Sequence, residues 1–200
     1  MRWIRIGIAG LLGITAAVFF GVTLSHALWY DNQVEMPAPP AMTSTPVVAD
    51  DLPSRVVIPS LHVDAAVEHI GLVAPNRMAA PHAFASAGWY KYSPAPGAIG
   101  TAIILGHLDN GLGLDGVFKH LHELTPGDEI DVITQAQRTL RFRVRSLDTY
   151  PYESVPSDAL VSSGAARLVF ITCAGHWLYD KQEGMTYDHR LVVAADLMST

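Results

Sequence analysis

From residue 55 onward, the apolar residues of this chain come in runs of four to seven, rich in β-branched side chains and cut apart by proline and glycine. Arg55–Ile58, Thr101–Leu105 and Ile130–Ile133 are of this kind. Thr139–Arg145 alternates apolar and polar residues strictly, the pattern of a strand with one face in water. Arg167–Thr172 and Leu191–Leu197 complete the set. Between them stand Pro59-Ser60, Pro94-Ala95-Pro96-Gly97 and Pro126-Gly127-Asp128, whose fixed or permissive backbones suit turns. Only two stretches read as helical: Val117–Glu123, and Ser157–Ser162 with Ser157 as N-cap. Many short strands with little helix predict a mainly β domain, a barrel or a sandwich.

The N-terminal part is built differently. Residues 6–24 are apolar apart from threonines and glycines, and carry no charge. A stretch of about 20 such residues crosses the hydrocarbon core of a membrane as a helix. Arg2 and Arg5 precede the run, whereas Asp31 and Glu35 follow it. Basic residues stay in the cytoplasm, so the N-terminus is expected inside and the remainder outside. Trp3, Trp29 and Tyr30 stand where interfacial aromatics are favoured. Ser25-His26-Ala27 offers an alternative, the cleavage site of a signal peptide, but the run exceeds the usual apolar core of about 7–15 residues. An uncleaved anchor is therefore expected, and either reading exports the rest. Residues 31–53 are rich in proline and alanine without periodicity, the composition of an extended spacer. The expected organisation is an anchor over 1–30, a linker over 31–53 and one folded domain over 54–200.

The net charge of −6 argues against nucleic acid, which requires basic surface to neutralise phosphates. A single cysteine, Cys173, rules out an internal disulfide. In an exported chain a lone thiol is exposed to oxidation, which makes it a candidate reactive group. Its bland alternative is a small buried hydrophobe. Cysteine catalysis also needs a proton donor for the leaving group and donors for the developing oxyanion. Cys173 is expected where the strand Leu168–Thr172 emerges into a loop; His107 follows Thr101–Leu105; Arg190 opens the last strand. These three form one site only if the three strand ends share a rim.

Here the residues resemble the sortases, and in particular the actinobacterial class F group. The active cysteine of that family follows a motif of the form Thr-Leu-x-Thr-Cys, matched by Val169-Phe170-Ile171-Thr172-Cys173. Its histidine lies in a Gly-His pair after a strand, as do Gly106-His107, and its arginine opens the closing strand, as does Arg190. Softer matches are Ile58-Pro59, Val63–Val67, Gly88-Trp89-Tyr90 and Leu124–Asp128, all in family order. Val169 and Phe170 depart from the usual Thr and Leu, yet both are apolar strand residues. The resemblance implies a closed barrel of about eight strands with short helices. It also implies a membrane-anchored cysteine transpeptidase that needs no cofactor. Cys173 would attack the Thr–Gly bond of a Leu-Pro-x-Thr-Gly-like signal on an exported protein. The acyl group would pass through a thioester to a peptidoglycan precursor or another amine. His107 would serve as acid and base, and Arg190 as oxyanion or substrate donor. Thr172 and Asp109 are supporting candidates, the latter as a third member orienting His107.

Other readings compete. A cysteine L,D-transpeptidase also uses one Cys and one His, but its Ser-x-Gly-Cys context is absent. A non-catalytic anchored binding module could retain the same barrel. Among nine histidines, His120-Leu121-His122 and Cys173-Ala174-Gly175-His176 place ligand types close together, but no further zinc-ligand spacing accompanies them. No metal is expected. The loop from Asp109 has His120 where a calcium loop needs a carboxylate. Trp89, Tyr90 and Tyr92 read as core, and Arg138, Arg141, Arg143 and Arg145 as a solvated strand face. Residues 174–189 read as a long connection containing Trp177, Tyr179, Met185 and Tyr187; the resemblance implies that class-specific substrate features lie there.

Overall fold

The computed structural model describes residue 38 and residues 51–199, except 76, 111–112, 162–163 and 182–183. The anchor and almost all of the linker expected from the sequence lie outside these residues. No helix among the described residues is long and apolar enough to cross a membrane.

The described residues form ten strands: β1 (Pro53–Ile58), β2 (Val63–Ile70), β3 (Leu72–Ala74), β4 (Arg77–Met78), β5 (Ala87–Tyr90), β6 (Gly100–Gly106), β7 (Glu129–Thr134), β8 (Thr139–Pro151), β9 (Ala166–Asp180) and β10 (Gly184–Leu197). Eight of them close a barrel in the order β1-β2-β5-β6-β9-β10-β8-β7, and β3 and β4 form a separate pair. The barrel expected from the sequence is thus observed. β6 runs parallel to β9, and β9 antiparallel to β10.

Alternation along the strands sorts the core into two bodies. Val56, Ile58, Trp89, Ile104, Ile130, Val132, Phe142, Leu168, Phe170 and Val193 point inward and fill the lumen. Phe118 closes it, meeting Phe170 edge to face with centroids 5.4 Å apart. Burying such a ring contributes about 1.5–3 kcal/mol. Ile103 and Leu105 of β6, Val169, Ile171 and Cys173 of β9, and Val192 of β10 face outward. They are buried all the same, packed with Leu160 and Met78. β6 and the first part of β9 are therefore covered on both faces, which is why they read as continuous apolar runs. β7 and β8 keep their outer face in water, where Arg141 pairs with Asp131 at 3.0 Å and Arg143 with Glu129 at 3.5 Å. Of the aromatic set, Trp89 and Tyr90 are buried, whereas Tyr92 is half exposed.

Three sequence expectations change. Val117–Glu123 holds only a three-residue 3₁₀ turn, Leu121–Glu123, because Phe118 and Leu121 are both drawn into the barrel mouth. The helix α1 is a single turn, Ser157–Leu160, with Pro156 rather than Ser157 as its N-cap. Residues 174–180 and 184–189 are strand, not loop: β9 and β10 continue as a two-stranded ribbon, with Tyr187 opposite Trp177 and Met185 opposite Tyr179. A bulge interrupts the ribbon just past Cys173, where Gly175 takes φ 86°, a backbone region that disfavours side chains.

Candidate active site

β9 does not end at Cys173, as the sequence suggests; what ends there is its pairing with β6. The parallel register runs from Gly100 opposite Ala166 to Leu105 opposite Ile171. Two residues further along each strand stand His107 and Cys173. On the other side of β9, Cys173 is the register partner of Arg190. Cys173 and Arg190 thus share a rung, and the β6–β9 register, extended past the end of β6, brings His107 level with them at the rim where the β9–β10 ribbon leaves the barrel. Cys173 shares the outward face of Val169 and Ile171, and Arg190 that of Val192. All three are buried.

His107 is gripped from the segment between β4 and β5. Its Nε2 lies 2.8 Å from the carbonyl oxygen of Pro81, and a carbonyl only accepts, so Nε2 carries a proton. The ring of Phe84 covers the imidazole with centroids 4.3 Å apart. That segment is itself pinned: the backbone N–H groups of His82 and Ala83 donate to the Glu68 carboxylate of β2 at 2.7 and 3.0 Å. Gly106 has a steric reason to precede His107. A Cβ there would sit 2.2 Å from Cδ2 of Phe118.

Arg190 is fully buried, and no carboxylate pairs with it among the described residues. Its Nη1 donates to the carbonyls of Tyr187 and His189 at 2.8 and 2.9 Å, and Nη2 to the hydroxyl of Thr186 at 3.2 Å. The ring of Tyr152 lies 5.4 Å from the guanidinium carbon. Nε has no partner among the described residues. A guanidinium has five N–H groups, and these bonds do not use all of them. An ion left without a counter-charge in a dry place is costly, and such costs concentrate at functional sites.

The family model of the Sortase domain matches residues 56–198. The chain belongs to the sortase family. Members of this family are cysteine transpeptidases. The barrel is similar to sortase C-1 from Actinomyces oris, with 23% identity, TM-score 0.52 and 73% of each chain covered. It is also similar to sortase A from Corynebacterium diphtheriae, with 20% identity and TM-score 0.56, over 74% of this chain and 61% of that one. A third likeness is to the pilus-related sortase C of Group B Streptococcus, with 17% identity and TM-score 0.56, over 76% and 70%. No curated protein matches this sortase.

The two supporting candidates are placed differently. Thr172 is buried on the lumen side, opposite Leu191 and one residue out of phase with Cys173; its hydroxyl has no partner among the described residues. Asp109 is buried two residues beyond His107. Tyr187 Oη donates to its two oxygens at 2.8 and 2.9 Å, and Lys119 Nζ to Oδ2 at 2.9 Å. The sequence marks Tyr187 only as part of the 174–189 stretch, and does not mark Tyr152, Lys119 or the Pro81–Phe84 segment as belonging to a site. Tyr187 is 78 residues from Asp109, and no local pattern marks a contact at that separation. The described residues bring no three His, Cys, Asp or Glu side chains into a metal-holding group.

Proposed function

We propose that this sortase cleaves a Leu-Pro-x-Thr-Gly-like sorting signal between Thr and Gly and passes the acyl part to a cell-wall amine. The observation that carries the reading is the rung of Cys173 and Arg190 with His107 level with it. The Cys173 thiolate adds to the threonine carbonyl, forming a C–S bond and a tetrahedral oxyanion. The C–N bond then breaks, the glycine amine leaves with a proton from His107, and a thioester remains. An incoming amine, of a peptidoglycan precursor or another acceptor, loses its proton to His107 and displaces the thiolate. Since Nε2 of His107 is engaged with Pro81, the proton exchanged with the amines is the one on Nδ1. The N–H groups of Arg190 not turned inward stabilise the oxyanion or hold substrate carbonyls. Water in place of the amine gives hydrolysis as a side reaction.

The same reading places the enzyme at the cell membrane, spanning once through residues 6–24 with its catalytic domain outside. The charge asymmetry around that run supports it. The motif around Cys173 and the Gly106-His107 pair support a place in the actinobacterial class F group. The test is cleavage of a fluorogenic Leu-Pro-x-Thr-Gly peptide by the full chain in detergent, and by Cys173→Ala. Turnover by the first and none by the second is expected. No turnover of any related signal peptide, with a thiol inert to alkylating reagents, would make the protein a binding module instead.

A further inference from the structure

Tyr187 belongs to the ribbon, whereas Asp109 lies two residues beyond His107, and their hydrogen bonds join the two. Tyr187 is buried, with its ring against that of Trp177 at 4.4 Å between centroids. Its hydroxyl donates to the carboxylate of Asp109, which also accepts from the ammonium of Lys119. Asp109 also forms an isolated β-bridge with Asp115. We infer that Tyr187 is a positioning residue for the transpeptidation: it ties the His107 loop to the ribbon beside Cys173, and screens the Asp109 charge from the nucleophile.

The phenol is suited to the role. Its pKa lies well above the ordinary value, first through burial, then through the hydrogen bond and charge of Asp109, and also through the charge of a Cys173 thiolate. It therefore stays a neutral donor at any working pH. A buried carboxylate favours protonated neighbours, opposing a thiolate and holding a proton on an imidazole. Tyr187 and Lys119 each offset part of that charge without removing it. The other charged or titratable groups around this place are His107 and Arg190, Asp115 at 4.0 Å from the Lys119 ammonium, and the cluster of Asp188, His189 and His176 at the ribbon bulge. Asp188 is occupied there, its carboxyl held below the usual range first by the His189 hydrogen bond and then by the His176 N–H.

The inference rests on Cys173 and His107 being the reacting pair, and its test can be read without turnover. Because Cys173 is the only cysteine, the rate of alkylation by iodoacetamide against pH reports on it alone. In the full chain, Tyr187→Phe keeps the ring on Trp177 and removes the hydroxyl. Its alkylation profile is expected to move to higher pH by about half to one unit. Asp109→Asn is expected to move it to lower pH, the opposite direction. In the Asp109→Asn background, Tyr187→Phe should then have little further effect, since there is no charge left to screen. Cleavage of the signal peptide by Tyr187→Phe is expected to fall about tenfold, mainly in kcat, with its pH optimum displaced the same way. Shifts in the same direction for both single variants, or none in either folded protein, would overturn the inference. Opposite shifts without turnover of any signal peptide by the unaltered enzyme would uphold the coupling and reject the assigned reaction.

Discussion

Two antiparallel pairs in this barrel treat arginine in opposite ways. On β7–β8, Arg141 and Arg143 stand on the outer face in water, each beside a carboxylate of the neighbouring strand. On β9–β10, Arg190 is also on the outer face, yet it is fully buried and meets carbonyls, a hydroxyl and a tyrosine ring instead. The first arrangement is what solubility and register require, and exposed pairs of this kind contribute little, about 0–1 kcal/mol. The second works against stability unless a ligand completes it. The difference is one of satisfaction: the fold pairs the first two arginines with carboxylates, and leaves the third with an Nε unpartnered among the described residues.

Exchanging arginine for lysine in both places should sharpen that contrast. Arg190→Lys keeps the charge and loses the fork, so one ammonium must choose between the inward carbonyls and the substrate. Peptide cleavage is expected to fall about 10²–10³-fold with the fold retained, checked by circular dichroism alongside the assay. Next in size is Gly106→Ala, which drives a methyl group toward the Phe118 ring. Overpacking of this kind costs about 1–3 kcal/mol in urea unfolding, and displacement of His107 should lower cleavage as well. A pure stability loss with unchanged kcat would mean the Gly-His pair only packs.

The site side is also richer in shielded tyrosines, and alkaline titration exposes this. Tyr152 and Tyr187 ionise well above the ordinary value near 10, first because of burial and then through carboxylate neighbours; Tyr90 and Tyr150 are raised by burial too. A group raised in the folded state contributes stability that is complete below its unfolded pKa and is lost as pH rises through the folded one. Unfolding free energy should therefore be unaffected by these groups up to about pH 10 and fall above it. Tyr152→Phe should make that fall shallower, read by urea denaturation at a series of pH values. The smallest effect belongs to Arg141→Lys, with cleavage unchanged and stability within about 0.5 kcal/mol.

What could be read from the sequence follows from how locally each feature is determined. β6 and the first half of β9 were legible because burial on both faces leaves an unbroken apolar run. β8 was legible at its start because one wet face imposes alternation. The ribbon was not: Trp177, Tyr179 and Met185 are partly exposed on two strands that no longer cover a core, so neither period appears. Gly175, a bulge in the structure, looks like a strand breaker in the sequence. The thiol, imidazole and guanidinium could each be named from neighbouring residues, but their common level depends on the register of β6, β9 and β10, which has no local signature. The grip of Pro81 on His107 and that of Tyr187 on Asp109 are likewise products of tertiary packing.

If Cys173 works with His107 and Arg190 as proposed, it becomes acylated during turnover. The most direct test is intact-protein mass spectrometry after incubation with a Leu-Pro-x-Thr-Gly-containing peptide and rapid acid quenching. The expected result is a mass increase equal to the acyl fragment ending at threonine, located on Cys173, released by an added amine and absent from Cys173→Ala. Cleavage of the peptide with the thiol left unmodified, or cleavage that survives Cys173→Ala, would contradict the proposal.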